Sequence, residues 1–141
     1  MIYINIIGAF DRTSAEGLNP RKGRSVIISI TSPNSSFPLL QEGWSDILRL
    51  SFDDIDHEDG QNYIIFSDSQ AEEILDFAIK NIDKDLFVNC DAGISRSTAI
   101  VVALELIFNS NDVSDSYKYQ HHNKYVKNKI RDVWFKRIWS K

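Results

Sequence analysis

Residues 86–108 constrain this chain more than any other stretch. Leu86-Phe-Val is a short apolar run with strand character, and it leads through a tight loop that holds Gly93. From Ser95 the pattern turns helical. Thr98-Ala-Ile-Val-Val-Ala-Leu-Glu-Leu-Ile-Phe108 is apolar on nearly every face, which predicts a buried helix. Asn109-Ser-Asn-Asp then breaks it. A strand turning directly into a buried helix belongs to a layered domain.

The remaining pattern extends that picture. Four runs read as strands: Ile2–Ile7, Ser25–Ile30, Asp46–Phe52 and Leu86–Cys90, each followed by Gly, Pro, Asp or Asn. Val26-Ile-Ile and Leu86-Phe-Val are continuously apolar, as in a sheet covered on both faces. Ala71, Ile74, Leu75, Ala78, Ile79 and Ile82 recur at helical spacing, with Ser69 and Glu72 as a capping box. Residues 114–139 read as one or two helices whose apolar surface comes from Trp134, Phe135, Ile138 and Trp139. Thr31–Gly43, with Pro33 and Pro38, reads as loop. The expected fold is α/β: one three-layer domain over residues 1–141, with a mainly parallel central sheet of about four to five strands flanked by helices.

Composition removes several function classes. A single cysteine, Cys90, makes neither an internal disulfide nor a Cys-rich zinc or iron–sulfur site, and it suits a reducing, cytoplasmic setting. The longest apolar stretch, Ala99–Phe108, is about half a bilayer span and contains Glu105, so no membrane segment is expected. The N-terminus lacks the basic flank and cleavage site of a signal peptide. Residues 1–117 carry a net charge of −11 and residues 118–141 a net charge of +7. An acidic body argues against nucleic acid as a partner, and the basic tail reads as amphipathic helix with its lysines outward. His57, His121 and His122 do not stand at metal-ligand spacing, and the acidic run Asp53–Asp59 fails the spacing of a calcium loop, so no metal is expected.

The chemistry concentrates in Asn89-Cys-Asp-Ala-Gly-Ile-Ser-Arg-Ser97, where five residues separate Cys90 from Arg96. A short loop entering a helix turns its backbone N–H groups inward as an anion nest. An arginine there can clamp two phosphate oxygens with its planar fork. Gly93 lets the backbone turn where a Cβ would obstruct it. The helix N-terminus and the guanidinium put positive charge beside the Cys90 sulfur, which suits a thiolate poised for in-line attack on phosphorus.

This segment resembles the signature loop of the cysteine-dependent protein tyrosine phosphatases. Its Ala-Gly-Ile-Ser-Arg-Ser form is similar to that of the compact dual-specificity branch. The resemblance extends over Ser25–Phe108. It implies that Cys90 is the nucleophile and forms a phosphocysteine, that Arg96 binds phosphate within the loop Asp91, Ala92, Gly93, Ile94, Ser95 and Arg96, and that Ser97 hydrogen-bonds the leaving thiolate. It implies no cofactor. Leu48–Ile55 is similar to the segment carrying the family's general acid, which favours Asp54, with Asp53 second. Asn123-Lys-Tyr-Val126 resembles a short stretch of the family's late helices.

Two positions carry further expectations. Asn89 stands where the family has histidine; asparagine hydrogen-bonds backbone but carries no charge, which implies reduced activity or a raised pH optimum. Asp91 puts a carboxylate beside the pocket, which disfavours a highly anionic substrate by Coulomb repulsion. The expected substrate is therefore a phosphorylated protein or a small aryl phosphate, with phosphotyrosine first and phosphoserine or phosphothreonine also open to a shallow pocket. The alternatives are a catalytically weak module that binds phosphorylated partners, or a phosphatase for a non-protein ester.

Overall fold

The computed structural model describes residues 3–55 and 62–140. Four strands form one sheet: β1 (Asn5–Phe10), β2 (Ser25–Thr31), β3 (Asp46–Ser51) and β4 (Asp85–Asn89). Its order is β1-β4-β2-β3, and every neighbouring pair is parallel. The helices are α1 (Arg12–Glu16), α2 (Asp68–Lys80), α3 (Arg96–Asn109) and α4 (Lys124–Trp139). The expected α/β architecture is the observed one, with four strands.

Burial explains the continuous apolar runs. Every residue of β2 is buried. Val26, Ile28 and Ile30 join Leu86 and Val88 in the main core, beneath α2 and α3. On the opposite face Ile27 pairs in register with Phe87, whose ring meets Phe10 at 5.7 Å and Trp44 at 5.2 Å. Ten residues of α3 are buried, as its all-round apolar pattern requires. Helix α4 packs on α2 and α3 through Val126, Ile130 and Val133. None of the described helices is long and apolar enough to cross a membrane.

Four local expectations are corrected. The first strand begins at Asn5 and runs to Phe10, rather than spanning Ile2–Ile7, whose first residue lies outside the described residues. The Asn109 side chain bonds both the N–H and the C=O of Ile4, which removes Ile4 from the ladder, and an irregularity at Ile6–Gly8 carries the strand onward. The capping box of α2 is formed by Ser67 and Gln70, two residues ahead of Ser69 and Glu72. Phe66, just before the cap, is buried against Phe52 and fixes where the helix enters. Only Lys124–Trp139 of the last segment is helical; residues 114–121 form turns. Phe135, Ile138 and Trp139 are exposed on α4, because the face that meets the core is the Val126, Ile130, Val133 stripe.

All four strands run in one direction, so their C-terminal ends lie along one edge. The loops that leave them gather there: Phe10–Arg12 after β1, Ser32 after β2, Phe52–Asp54 after β3 and Cys90–Ser95 after β4. A parallel sheet builds its binding crevice at that edge.

Candidate active site

Cys90 follows the last residue of the central strand β4 and is 1% exposed. Its amide donates to the Phe10 carbonyl at 3.2 Å, and the Arg12 amide donates to the Asp91 carbonyl at 3.1 Å. These two bonds lay the end of β1 along the loop. Gly93 has φ +73° at the point of closest approach, where a Cβ would stand 2.6 Å from the Asp11 nitrogen. Asp11 caps α1 by accepting from the Ser14 amide at 2.7 Å, which holds its carboxyl below the ordinary aspartate value.

The sulfur sits among hydrogen-bonding groups. The Gly93 amide donates to Cys90 Sγ at 3.2 Å, and Ser97 Oγ lies 3.1 Å from it, in the first turn of α3. Loop closure and the start of α3 therefore converge on one atom. That arrangement suits a sulfur that carries negative charge.

Arg96 is the first residue of α3 and is 5% exposed. A buried guanidinium needs partners. Its Nη1 donates to the Phe52 carbonyl at 2.8 Å and to Ser32 Oγ at 3.2 Å; its Nη2 donates to Asp91 Oδ2 at 3.0 Å. Ser32 Oγ also donates to Asp91 Oδ2 at 2.8 Å. Asp91 thus stands paired with Arg96 rather than as an isolated charge beside the pocket.

The two acid candidates differ in their surroundings. Asp53 Oδ2 accepts from the Ile64 amide at 2.8 Å, while the Asp53 amide donates to the Ile64 carbonyl at 2.7 Å. Asp53 is occupied in closing its own loop. Asp54 is exposed, and its Oδ1 accepts from Ser95 Oγ and from Asn123 Nδ2, each at 2.8 Å. Asn123 caps α4 and also donates to the Ile55 carbonyl at 3.0 Å, so α4 and the loop after β3 are tied together over the Cys90–Arg96 loop. Asp56–Asp59, the rest of the acidic run, lie outside the described residues.

Among the described residues, two open clefts border the loop. One, of about 430 Å³, is lined by Asp54, Ser95, His121 and Lys124 among others. The second, of about 530 Å³, is lined by Gly93, Ile94, Tyr117 and His121 among others. Cys90 lines neither cleft. Among the described residues, no three His, Cys, Asp or Glu side chains gather as a metal site.

No protein-family model matches the chain, nor does any curated protein. Solved structures do. The human tyrosine phosphatase-like serine/threonine/tyrosine-interacting protein superposes over 84% of this chain and 80% of its own, with a TM-score of 0.51 and 21% identity. PTPMT1 superposes over 82% and 80%, with a TM-score of 0.51 and 18% identity. This chain has the tyrosine-phosphatase fold.

Within the tyrosine-phosphatase fold, Cys90, Arg96 and Ser97, from the turn after β4, and Asp54, from the loop after β3, come to one sheet edge. Sequence reasoning missed Ser32, which sits in a segment that reads only as loop. It also missed the contact between Asn123 and Asp54, 69 residues apart. The stretch Asn123–Val126 was legible only as a resemblance to the family's late helices, without its cap or its contact with Asp54.

Proposed function

We propose that this protein is a cysteine-dependent phosphomonoesterase that acts on phosphotyrosine or a comparable aryl phosphate. The observation that carries the reading is the Cys90 sulfur, held by the Gly93 amide and beside the Ser97 hydroxyl, beneath a loop that ends in buried Arg96. In this reading Cys90 Sγ attacks phosphorus in line, and the P–O bond to the leaving group breaks. The leaving oxygen takes a proton from Asp54. Because Asp54 Oδ1 already accepts two hydrogen bonds, the proton is carried on Oδ2. Water then attacks phosphorus and gives a proton to the Asp54 carboxylate, which restores the acid; the P–S bond breaks, phosphate is released, and Ser97 Oγ stabilises the departing thiolate. The two clefts beside the loop offer room for the flanks of a phosphorylated protein. One cysteine and no disulfide fit a cytoplasmic setting.

The test is release of p-nitrophenol from p-nitrophenyl phosphate across pH, with Cys90→Ser as the control. Turnover that depends on Cys90 supports the enzyme. Its absence at every pH overturns it. Asp54→Asn is expected to slow phenyl phosphate turnover by roughly 10²- to 10⁴-fold and p-nitrophenyl phosphate turnover much less, since the better leaving group needs little protonation. Equal slowing of both substrates removes Asp54 from the acid role.

One observation favours a second reading, a module that binds phosphorylated partners without turning them over. Asn89 is completely buried, and neither its Oδ1 nor its Nδ2 finds a hydrogen-bond partner among the described residues. The side chain beside the nucleophile therefore makes no hydrogen bond to the loop among the described residues, although the Asn89 backbone is paired with β1 and β2. In this reading phosphate-dependent binding is retained while turnover is negligible.

A further inference from the structure

We propose that Asp91, together with Ser32, is the positioning device for Arg96: the pair grips one edge of the guanidinium and leaves the opposite edge as a two-pronged phosphate receptor. This rests on the phosphate-binding role given to the loop above and assigns Asp91 a part that its sequence position does not suggest.

The argument is a count of donors. A guanidinium has five N–H groups in one plane. Both hydrogens of Nη1 are engaged, by the Phe52 carbonyl at 2.8 Å and Ser32 Oγ at 3.2 Å. One hydrogen of Nη2 is engaged by Asp91 Oδ2 at 3.0 Å. Ser32 Oγ and Asp91 Oδ2 are themselves bonded at 2.8 Å, so these two acceptors stand side by side along the edge formed by Nη1 and Nη2. Two donors remain: Nε–H and the second Nη2 hydrogen. They share the other edge of the plane and point the same way, which is the fork that takes two oxygens of one phosphate. Nε is buried and finds no partner among the described residues. A buried charged donor left without an acceptor is costly, and an incoming phosphate oxygen relieves that cost.

Asp91 therefore acts through Arg96 and does not touch the substrate. Its side chain is 38% exposed while that of Arg96 is 7% exposed, so the carboxylate closes the outer end of the guanidinium's slot. The device also ties the end of β2, through Ser32, to the loop after β4. Two opposite outcomes separate this role from simple electrostatics. If Asp91 only repelled anions, neutralising it would tighten anion binding. If it aims the fork, removing it lets the guanidinium turn and weakens binding.

The experiment is titration of inorganic phosphate and of orthovanadate into wild type, Asp91→Ala, Asp91→Asn and Ser32→Ala, with thermal unfolding recorded for each. Asp91→Ala is expected to weaken both anions by roughly tenfold or more, a loss the size of one charge-assisted hydrogen bond. Asp91→Asn, which keeps an acceptor oxygen, recovers part of that loss. Ser32→Ala weakens binding in the same direction, and its effect is not additive with Asp91→Ala because the two share one grip. The Arg96 Nε–H resonance is expected to shift on phosphate addition in wild type. Anion binding as tight in Asp91→Ala as in wild type, or tighter, overturns the proposal while the phosphate-binding reading stands. Absence of binding to wild type overturns both. Because binding is read without turnover, a catalytically silent protein tests the proposal equally well.

Discussion

Cys90→Ser is expected to lower p-nitrophenyl phosphate turnover by roughly 10⁴- to 10⁶-fold, the scale set by removing a nucleophile from an intact site. Serine is nearly isosteric, but its hydroxyl stays protonated at neutral pH and attacks only when a base takes that proton. Among the described residues, the groups hydrogen-bonded to Sγ include no such base. The Gly93 amide can only donate, and Ser97 offers a second hydroxyl. Phosphate binding follows a different rule. A thiolate repels a dianionic phosphate, whereas a neutral hydroxyl does not, so affinity for inorganic phosphate is expected to stay within a few-fold of wild type or to rise. Burst kinetics and phosphate titration on the same preparations read the two effects separately. Turnover above about one hundredth of wild type in Cys90→Ser removes this cysteine from the nucleophile's role.

The elements that could be read from sequence are those whose cause is local. Helix α3 declares itself through an apolar pattern that needs no partner to interpret, and β2 and β4 through runs too apolar for a one-sided sheet. Errors arose where a distant group decides. The start of β1 depends on the Asn109 side chain, 105 residues away, taking both backbone groups of Ile4. The sequence around α2 holds two overlapping capping boxes, and a buried Phe66 selects the earlier one. In α4, Trp134 packs on the core against Phe108 as expected, but Phe135, Ile138 and Trp139 lie off that face, because Val126, Ile130 and Val133 fit against α2 and α3 while Trp139 stays 82% exposed.

The site divides along the same line. Cys90, Gly93, Arg96 and Ser97 lie within eight consecutive residues, so their spacing alone marks an anion-binding turn. Asp91 lies in the same stretch, yet its role changes once its partner is known: a charge expected to face the ligand is bonded instead to Arg96 and Ser32. Ser32 reaches the site because the parallel sheet gathers the strand ends at one edge, and Asn123 because it starts α4 with its amide on the Ser95 carbonyl and its side chain on Asp54, pairings that sequence could not bring together.

Gly93→Ala is expected to destabilise the fold by roughly 2–5 kcal/mol, the sum of the left-handed backbone penalty and the overpacking of a tight contact. Gly93 has φ +73°, and an alanine Cβ there would stand 2.6 Å from the Asp11 nitrogen and 2.7 Å from the Phe10 carbonyl carbon. Both neighbours are backbone, and they are held in place by the Cys90–Phe10 and Arg12–Asp91 bonds on either side. Relief comes only by moving the loop away from the end of β1, which pulls the Gly93 amide from the Cys90 sulfur and should cost at least a hundredfold in turnover. Gly23 supplies an internal control: it has the same φ of +73°, but nothing lies within 4 Å of the position a Cβ would take. Gly23→Ala therefore carries the conformational penalty alone, about 1–2 kcal/mol, with turnover unchanged. Thermal unfolding of the two variants isolates the close approach as their difference, and equal losses of stability would show that the end of β1 does not constrain the loop.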